Sequence, residues 1–486
     1  MQQDDTNEGA ENPVIIAIDF DSFYCACHMK QDPSLRGVPF AVRQKQIVVT
    51  CSYAARERGV YKLQLMTEAK KVCPQLVVVN GEDLTIYRNA SKANFLYVRD
   101  IVWGQKVEKL GFDELWLDVT EMIDHNMKFN GIFDLGFGKS FTYNEMPGYT
   151  FPLDKEVDKR LQIAMHLAKH FRDSIADELG FTSSAGVSTN KLLSKLVSSV
   201  HKPDKQTLLV PGFEKLFLSD MEIGKLPGLG YKSSALIRER LRGSANKSDR
   251  YEAADNMVTI RDVCTGSSEE EFVSIFGETL GKRLWDLAHG VDESEVVPAP
   301  IYPLQVSIED SFPHVVLISE VRELMVELVT LLVRRMRIDL VDEHGHWARH
   351  AQTLRLTTRP RLASIGGRDS RISKSTAMPV FAFSFQNPVE EIAERLVKVS
   401  LMPLFRRLHP RDFDISLLNV AAVRLGVPQS QPALDLARQE EEFSDSDGFL
   451  SDASLEEITS ETFWCEECKA GLPQFAYTAH QVFHNR

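Results

Sequence analysis

Short apolar runs alternate with amphipathic stretches through the first hundred residues. Residues 14–18, 47–51 and 76–80 are rich in valine and isoleucine and have the length of buried strands. Residues 55–72 carry apolar side chains at helical spacing on either side of Gly59, which predicts two short helices with a break between them. The pattern therefore predicts a sheet with helices packed against it.

Two more apolar runs, residues 107–112 and 115–120, are separated only by Asp113 and Glu114. Two strands joined by two polar residues predict a β-hairpin. Residues 158–180 then follow a helical period, and the segment after them predicts a strand, a turn and a second helix. We expect the hairpin and the first strand of the chain to belong to the same sheet.

A chain of 486 residues is too long for one hydrophobic core. The predicted fold class is α/β and α+β multidomain, and residues 353–359 and 380–385 are predicted strands of the α+β part. An acidic, serine-rich stretch near the end is predicted to be disordered. The expected boundaries are 1–12 for a disordered N-terminus, 13–212 for an α/β region, 213–295 for a helical region, 303–427 for an α+β region, 428–462 for the disordered linker and 463–486 for a compact tail.

The net charge of −13 is confined to the two segments predicted to be disordered. Residues 1–12 contain four acids and no base, and residues 428–464 contain ten acids and one base, so the rest of the chain is neutral. A neutral body can carry a basic face, and nucleic acid is therefore not excluded as a partner. The seven cysteines do not form a disulfide framework, which indicates a reducing compartment. No apolar stretch approaches the roughly 20 residues that span a membrane, so we expect no membrane partner.

The first predicted strand ends in carboxylates, which are rarely buried without a cation. If this strand lies beside the hairpin, Asp19, Asp113 and Glu114 converge at one sheet edge, where hard oxygen ligands suit Mg²⁺. Two such ions would form a clamp for in-line phosphoryl chemistry. The alternative is that Asp19 lies in an ordinary surface turn, and that Asp113 and Glu114 are present because turns favour such residues.

Three further stretches contain groups that suit phosphate contact. Tyr53 and Arg56 are three residues apart at a helix start, and Lys191 and Lys195 share one face of a helix. KLPGLG (225–230) resembles the turn of a helix-hairpin-helix, whose backbone N–H groups approach a DNA phosphate. Each stretch also has an ordinary interpretation: a solvated surface charge, an amphipathic helix and a simple tight turn.

The order of these stretches along the chain resembles that of Y-family translesion DNA polymerases. The resemblance spans about residues 13–427 and rests on AIDFDSFY, VVTCSYAAR, GFDELWLDVT, GVSTNKLLSKLVSSVHKP, KLPGLG and FGETLGKRLWDLAHGVD. Within the family, VRQKQIVVTCSYAAR, KLQLMTEAKKVCPQLVVVNGEDLTIYR, LGFDE and SIEDSF are most similar to the iota branch. The ordered set favours the functional interpretation of each stretch over the ordinary one.

This resemblance implies a right-hand polymerase. The palm would cover residues 13–212 with inserted fingers at about 38–90, the helical thumb residues 213–295 with the helix-hairpin-helix, and the little finger residues 303–427. The implied activity is low-fidelity, template-directed DNA synthesis by two-metal-ion nucleotidyl transfer. Its partners would be primed template DNA and deoxynucleoside triphosphates.

The resemblance also assigns the carboxylates. Asp19 and Asp113 would bridge two Mg²⁺ or Mn²⁺ ions, and Glu114 and the carbonyl of Phe20 would complete the ligands. Asp21 is acidic in the matching stretch but is not a ligand in the family, and we expect a structural role for it.

Nucleotide contacts follow from the same resemblance. Tyr24 would be the steric gate, whose ring occupies the space that a ribose 2′-hydroxyl needs. The incoming nucleotide would contact Phe23, Tyr24, Tyr53, Arg56 and Lys202.

The nascent base pair would be contacted by Gln44, Lys45 and Ile47. In the iota branch this contact narrows the site and favours a syn template purine, which implies accuracy that depends on the template base.

Contacts to DNA are expected in two places. Gly228 and Gly230 lie in the turn of the helix-hairpin-helix. Arg355, Arg359 and Arg361 occupy alternate positions of a predicted strand, which places them on one face suited to phosphates. The alternative for the arginines is a solvated sheet face.

The tail contains a Cys-x2-Cys pair, eleven intervening residues and a His-x3-His pair, which is the spacing of a tetrahedral site for one Zn²⁺ ion. A DNA-reading finger is the alternative, but the knuckle carries two glutamates, the finger is single and its tether is acidic. The tail is similar to the ubiquitin-binding zinc finger of the eta branch, which implies ubiquitin or a ubiquitinated sliding clamp as a partner. The expected ligands are Cys465, Cys468, His480 and His484.

Other hypotheses stay open at this point. One is a translesion enzyme of the eta type. A second is a ubiquitin-dependent scaffold without catalysis, which the intact carboxylate set disfavours. A third is a nucleotide cyclase, which shares a palm-like sheet and paired carboxylates but needs neither a helix-hairpin-helix nor a little finger. A nuclear location follows from the expected role in replication.

Overall fold

The chain divides into two compact units, Met1–Tyr302 and Pro303–Arg486. The predicted disordered N-terminus and nearly all of the predicted linker lie outside the described residues. The computed structural model describes residues 13–128, 156–242, 257–361 and 371–428, together with two short strands at 462–465 and 470–473.

The first unit alternates strands and helices and then becomes helical. Its strands are β1 (Ile15–Phe20), β2 (Phe40–Gln44), β3 (Ile47–Cys51), β4 (Val77–Asn80), β5 (Val107–Leu110), β6 (Glu114–Asp118), β7 (Ser183–Ser188) and β8 (Gln206–Leu208). Its helices are α1 (Phe23–Gln31), α2 (Tyr53–Arg56), α3 (Met66–Val72), α4 (Thr85–Ile101), α5 (Thr120–Lys128), α6 (Glu156–Leu179), α7 (Lys191–Ser198), α8 (Glu214–Ser219), α9 (Tyr231–Arg242), α10 (Ile260–Gly266), α11 (Glu269–Phe276) and α12 (Glu278–Ala288).

A five-stranded sheet in the order β5-β6-β1-β7-β8 organises this unit, and we refer to it as the central sheet. β1 is its middle strand and pairs antiparallel with both β6 and β7. Alternate residues of β1 point to opposite faces: Ile16 and Ile18 enter the main core, whereas Ala17 packs with Trp116 on the other side. The predictions of a first strand, a hairpin and a common sheet are therefore confirmed.

Helix α7 lies directly on the central sheet because β7 contains Gly186. A Cβ atom at this position would lie 2.0 Å from the carbonyl oxygen of Ser194 and 2.5 Å from the backbone nitrogen of Ser198. Any larger residue would push the helix off the sheet. The helix is consequently held close enough for its lysines to reach the edge at which β1 ends.

A separate three-stranded sheet, in the order β3-β2-β4, lies between α1 and α4 in the chain. It has its own small core, to which Val48, Cys51 and Met66 contribute. The predicted pair of short helices is present as α2 and α3, and Gly59 between them has a φ of +85°, a region that favours glycine.

The helices after β8 share a further core that includes Leu218, Ile237 and Phe272. Helix α7 contributes apolar residues to the same core, Leu193 and Leu196 among them. This helix is thus part of two packed regions at once, the central sheet and the helical region.

The second unit is built on a four-stranded antiparallel sheet in the order β11-β10-β12-β9, whose core face packs against helices. Its elements are β9 (Gln305–Val315), α13 (Ile318–Asp339), β10 (His350–Pro360), β11 (Ile372–Ala377), α14 (Val389–Leu396), α15 (Met402–Leu408) and β12 (Ile415–Gly426). Strands β13 (Thr462–Cys465) and β14 (Ala470–Pro473) pair with each other in antiparallel fashion.

One strand prediction for this unit is wrong. Residues 380–385 were expected to be a strand, but Val380–Phe383 forms a 3₁₀ helix. The aromatic residues of this segment instead contact Trp347. The indole N–H of Trp347 donates to the carbonyl of Phe383 at 2.7 Å, and its ring stacks on Phe385 with centroids 5.0 Å apart. Pro379 directly before the segment also lacks the N–H that a sheet interior requires.

Candidate active site

The end of β1 brings the three predicted carboxylates together. Asp19 is directly opposite Glu114 in the antiparallel register, so both side chains leave the same face of the sheet. The N–H of Phe20 donates to the carbonyl of Asp113 at 2.9 Å, which fixes the hairpin turn against the strand end. The sequence-based expectation that Asp19, Asp113 and Glu114 converge is therefore met.

Crowding of these acids has an electrostatic cost. The pKa of the Asp19 carboxyl is raised to about 6, mainly by burial and to a smaller extent by the charges of Glu114 and Asp113, although the ammonium of Lys202 opposes the rise. Burial, followed by the charge of Glu114, also raises the pKa of Asp113. The carboxylates thus form a region of concentrated negative charge that favours a bound cation.

Two lysines neutralise this charge. The Nζ of Lys202 lies 2.5 Å from Oδ1 of Asp19, and Lys195 pairs with Glu114. In the part of the chain that the structure describes, no group of three or more His, Cys, Asp or Glu side chains is arranged to hold a metal ion. The donor atoms themselves, carboxylate oxygens with a backbone carbonyl nearby, are those that hard divalent cations prefer. The donor atoms therefore suit such ions. In this structure the two lysines supply the opposing positive charge.

The lysines of α7 are oriented by Trp116. Its indole N–H donates to the carbonyl of Lys191 at 3.0 Å, and the Lys191 and Lys195 ammonium groups lie 4.7 and 6.0 Å from the ring centroid. Lys191 is only 7% exposed and its Nζ lies 2.7 Å from Glu108. The ordinary interpretation of α7 as a helix with solvated lysines is therefore wrong for Lys191.

Asp21 holds the backbone around the site. Its carboxylate accepts hydrogen bonds from Ser184 Oγ at 2.8 Å and from the backbone N–H of Asp204 at 2.9 Å. Asp204 in turn pairs with the buried guanidinium of Arg172 at 2.5 Å. These bonds tie the segment that carries Lys202 to the end of β1, in agreement with the structural role expected for Asp21.

The start of α2 supplies a guanidinium beside the carboxylates. The side chain of Ser52 caps this helix by accepting from the N–H of Ala55 at 3.3 Å. Arg56 donates to Ser22 Oγ at 3.0 Å, and its guanidinium lies 4.6 Å from the centre of the Tyr53 ring. Tyr53 and Arg56, predicted to share a helix face, therefore lie together close to the turn that follows β1.

Tyr24 and Phe23 have different environments. The Phe23 side chain is 2% exposed and packs in the main core, so only its backbone is available to a nucleotide. The ring of Tyr24 is half-buried and stacks on Tyr87, with centroids 3.7 Å apart and planes 4° apart. Burial, followed by the charge of Asp113, raises the pKa of Tyr24 to about 12. Tyr87 had no signal in the sequence, because it lies on a different helix and far along the chain.

The β2–β3 turn carries the residues expected at a nascent base pair. Gln44 and Ile47 face each other across the turn, and Lys45 between them has a φ of +51°. The side-chain amide of Gln44 donates to the carbonyl of Gly81 at 2.6 Å. Ile47 is 38% exposed and bridges to Leu65.

An apolar surface beside this turn was missed by sequence reasoning. Tyr61, Leu63 and Leu65 are 61%, 69% and 55% exposed and follow the break after α2. The N–H of Leu63 donates to the carbonyl of Val48 at 2.8 Å, which keeps the segment against β3. The only signal in the sequence is that these apolar residues do not fit the helical period on either side.

The predicted DNA contacts are placed as follows. Gly228 has a φ of +91°, which the turn requires, and the carbonyl of Gly230 accepts from Ser234 in the first turn of α9. In the second unit, Arg355 and Arg359 lie on the sheet face that points away from the core.

Arg361 lies just past the strand that carries this row, because β10 ends at Pro360. The pairing of β10 with β12 shifts register between Thr358 and Pro360, and the extra residue at this shift lies in β12. The backbone N–H of Arg361 donates to the carbonyl of Asp414 at 2.8 Å, beyond the end of β10. The expectation that Arg361 shares a face with Arg355 and Arg359 stays a prediction.

Among the predicted zinc ligands, only Cys465 belongs to the described residues. It is the last residue of β13 and pairs with Ala470 of β14. Cys468, His480 and His484 lie outside the described residues.

Comparisons with known proteins identify a family for part of the first unit. Residues 18–199, which contain the carboxylate cluster, match the impB/mucB/samB family. The chain contains a Y-family domain.

The Y-family domain is accompanied by similarity over most of the chain. DNA polymerase iota of Homo sapiens is 34% identical over 426 residues, which are 86% of this chain and 53% of that protein. DNA polymerase iota of Drosophila melanogaster is 33% identical over 68% of this chain and 42% of that protein. DNA polymerase IV of Pseudomonas paraeruginosa is 34% identical over 58% of this chain and 66% of that protein. The chain spans about half the length of the iota polymerases it matches.

The different environments of Asp21 and Asp113 predict opposite effects of their substitution on stability. Asp21→Asn should lower the free energy of unfolding by about 1–3 kcal/mol, because a buried carboxylate that accepts hydrogen bonds from Ser184, Asp204 and Tyr53 becomes an amide. Asp113→Asn should raise the free energy of unfolding, because it removes a buried charge that is repelled by Glu114. Urea unfolding at neutral pH in the presence of a chelator, followed by circular dichroism, measures both. Shifts of the same sign for the two variants would contradict these assignments.

Proposed function

We propose that this chain is a template-directed DNA polymerase of low fidelity that performs translesion synthesis. The observation that carries the proposal is the convergence of Asp19, Asp113 and Glu114 at one edge of the central sheet within a Y-family domain. The names of the relatives, DNA polymerase iota and DNA polymerase IV, support the same activity.

The carboxylates would hold two divalent ions, Mg²⁺ or Mn²⁺. Asp19, Asp113, Glu114 and the carbonyl of Phe20 would hold them. When bound, the ions would lower the pKa of the primer 3′-hydroxyl and stabilise the charge on the leaving pyrophosphate. For this to happen Lys202 must leave Asp19, which frees its ammonium for the triphosphate.

The other basic groups would position the nucleotide. Arg56 is stacked on Tyr53 and bonded to a serine hydroxyl, so its planar guanidinium is already oriented next to the site. Together with Lys202 these residues would bind the triphosphate in line with the primer terminus. Tyr24 would exclude ribonucleotides, because its ring lies next to Asp113, where the sugar would be held.

Loss of a carboxylate should abolish synthesis while leaving DNA binding intact. Asp113→Ala and Glu114→Ala should each lower the rate of single-nucleotide insertion by at least about 10²–10³-fold, because charge stabilisation in the transition state is lost. Glu121→Ala is the matched control, since Glu121 is an exposed acid on the neighbouring helix α5 and pairs with Lys106 outside the site. Primer extension measures the rate, and fluorescence anisotropy with labelled primed DNA measures binding. A near-normal insertion rate in either carboxylate variant would refute the assignment.

The iota-like subtype is proposed from the β2–β3 turn. Gln44 is anchored on Gly81, and Ile47 lies beside the exposed Tyr61, Leu63 and Leu65, so a polar and an apolar contact are available to a base pair. Contact of Gln44, Lys45 and Ile47 with the nascent pair would narrow the site and favour a syn template purine.

This contact predicts accuracy that depends on the template base. Insertion opposite A should be accurate, whereas G should often be inserted opposite T, and Gln44→Ala should reduce the difference in accuracy between these two templates. Single-nucleotide insertion opposite each of the four template bases, with Mg²⁺ or Mn²⁺, measures this. Uniform accuracy with efficient bypass of a thymine dimer would instead indicate an eta-like enzyme. A chain that binds DNA but inserts no nucleotide would indicate the scaffold.

Two surfaces would hold DNA by its backbone. The turn at Gly228 and Gly230 precedes α9, so backbone N–H groups at the start of this helix are available to a phosphate. In the second unit, Arg355 and Arg359 share an outward sheet face, and Arg361 would contact phosphate from beyond the strand end. Binding through these groups should weaken steeply as salt concentration rises.

We propose that the C-terminal tail recruits the protein to ubiquitin-marked partners. Cys465, Cys468, His480 and His484 would bind one Zn²⁺ ion, and the resulting finger would bind ubiquitin or a ubiquitinated sliding clamp. Such a role places the protein in the nucleus. Among the described residues, no helix has the length and apolarity needed to cross a membrane.

The tail predicts one zinc ion per chain. Elemental analysis of the purified protein should give this ratio, and Cys465→Ser should lower it because a tetrahedral structural site needs all four ligands. The same variant should lose binding to immobilised monoubiquitin while primer extension is unchanged. Cys73→Ser is the control, since Cys73 is a buried cysteine remote from the tail in sequence. Unchanged zinc content in Cys465→Ser would overturn the site.

A further inference from the structure

Beneath Tyr24, two side chains form a support that the proposed mechanism does not use. Tyr87, in the first turn of α4, is fully buried and stacks face to face on Tyr24 with centroids 3.7 Å apart. Its hydroxyl lies 2.7 Å from Nε2 of His28. Tyr24 and His28 are one helical turn apart on α1, so both contact Tyr87 from the same face of that helix.

The space around Tyr87 is filled. A Cβ atom on Gly81 would lie 2.9 Å from the Tyr87 hydroxyl and 2.3 Å from a methyl group of Val42, so the absence of a side chain at Gly81 makes room for the ring. Burial raises the pKa of the Tyr87 hydroxyl and lowers that of His28, so the bond joins two neutral groups at neutral pH. The Tyr87 ring is therefore restricted to one position, and the Tyr24 ring that stacks on it is restricted as well.

We propose that Tyr87, fixed by His28, is a positioning residue that sets the plane of the Tyr24 ring and thereby the stringency with which ribonucleotides are rejected. The inference rests on the proposed polymerase function. Tyr87 itself is buried and touches no substrate. It acts through Tyr24, because a gate that tilts or recedes leaves space for a 2′-hydroxyl.

The same tyrosine also connects two parts of the nucleotide site. The carbonyl of Gly81, against which Tyr87 packs, accepts the hydrogen bond from Gln44. The gate for the sugar and the contact for the base pair are therefore built on one buried ring. Sugar selectivity and base selectivity should consequently respond together when Tyr87 is changed.

The test compares insertion of a deoxynucleotide and of the matching ribonucleotide opposite the same template base. The variants are Tyr87→Leu, which removes the stack, Tyr87→Phe, which removes only the hydrogen bond, and His28→Leu, which removes the same bond together with the edge contact between the His28 and Tyr87 rings. Tyr97→Phe is the matched control, since Tyr97 lies near the other end of the same helix and its hydroxyl is hydrogen-bonded to Ser174. The measured quantity is the ratio of kcat/KM for the two nucleotides.

Tyr87→Leu should lower the deoxy-to-ribo ratio roughly tenfold, because the aromatic stack is lost, and mainly by raising ribonucleotide insertion. Tyr87→Phe should lower the ratio about threefold, in keeping with the loss of one hydrogen bond. The double variant Tyr87→Phe with His28→Leu should be no worse than either single variant, because both remove the same bond. Tyr97→Phe should leave the ratio unchanged.

A wild-type ratio in an active Tyr87→Leu variant would overturn the inference, and so would equal losses for both nucleotides, which is what a purely structural role produces. If circular dichroism shows that Tyr87→Leu does not fold, Tyr87→Phe and His28→Leu provide the test. A wild-type ratio in both of these variants would then overturn the inference. Failure of the wild-type protein to insert any deoxynucleotide is a distinct outcome. It would overturn the proposed polymerase function and, with it, the inference that Tyr87 positions Tyr24.

Discussion

Mutual repulsion among three carboxylates is the constraint on which the site depends. The acids are held together by backbone pairing, since a shift of one residue in the β1–β6 register would move Asp19 to the opposite face of the sheet. Opposing charge comes from Lys202 and Lys195, which approach from two different segments. The tight packing of α7 on Gly186 and the bonds from Asp21 to the Asp204 backbone bring those segments close. Much of the first unit therefore serves to bring like charges together and to compensate them.

Lysine ion pairs compensate part of the carboxylate charge in this structure. Lysine side chains have flexible stems, whereas the carboxylates are fixed by strand and turn. Arg56 differs, because stacking on Tyr53 and the bond to Ser22 restrict its plane. The arrangement combines rigid acids, movable lysines and one oriented guanidinium.

Local pattern in the sequence was sufficient for β1, for the hairpin that carries Asp113 and Glu114, and for α7, because each is an uninterrupted run with a clear period. It was insufficient where a partner lies far away in the chain. The Tyr24–Tyr87 stack and the burial of Lys191 against Glu108 depend on packing between distant segments, for which periodicity gives no signal. The wrong strand prediction for residues 380–385 has the same origin, because these residues contact Trp347, which is far away in the chain.

Sharing of α7 between the central sheet and the helical region has a practical consequence for dissecting the protein. Leu192, Leu193, Leu196 and Val197 are buried by residues that follow position 212, Leu218 and Leu287 among them. A fragment that stops at residue 212 would expose this apolar stripe to water on the very helix that delivers Lys195. Such a fragment should aggregate, or lose the alignment of that lysine, even though it contains every carboxylate. The smallest soluble piece with an intact site therefore extends through the whole first unit, to Tyr302.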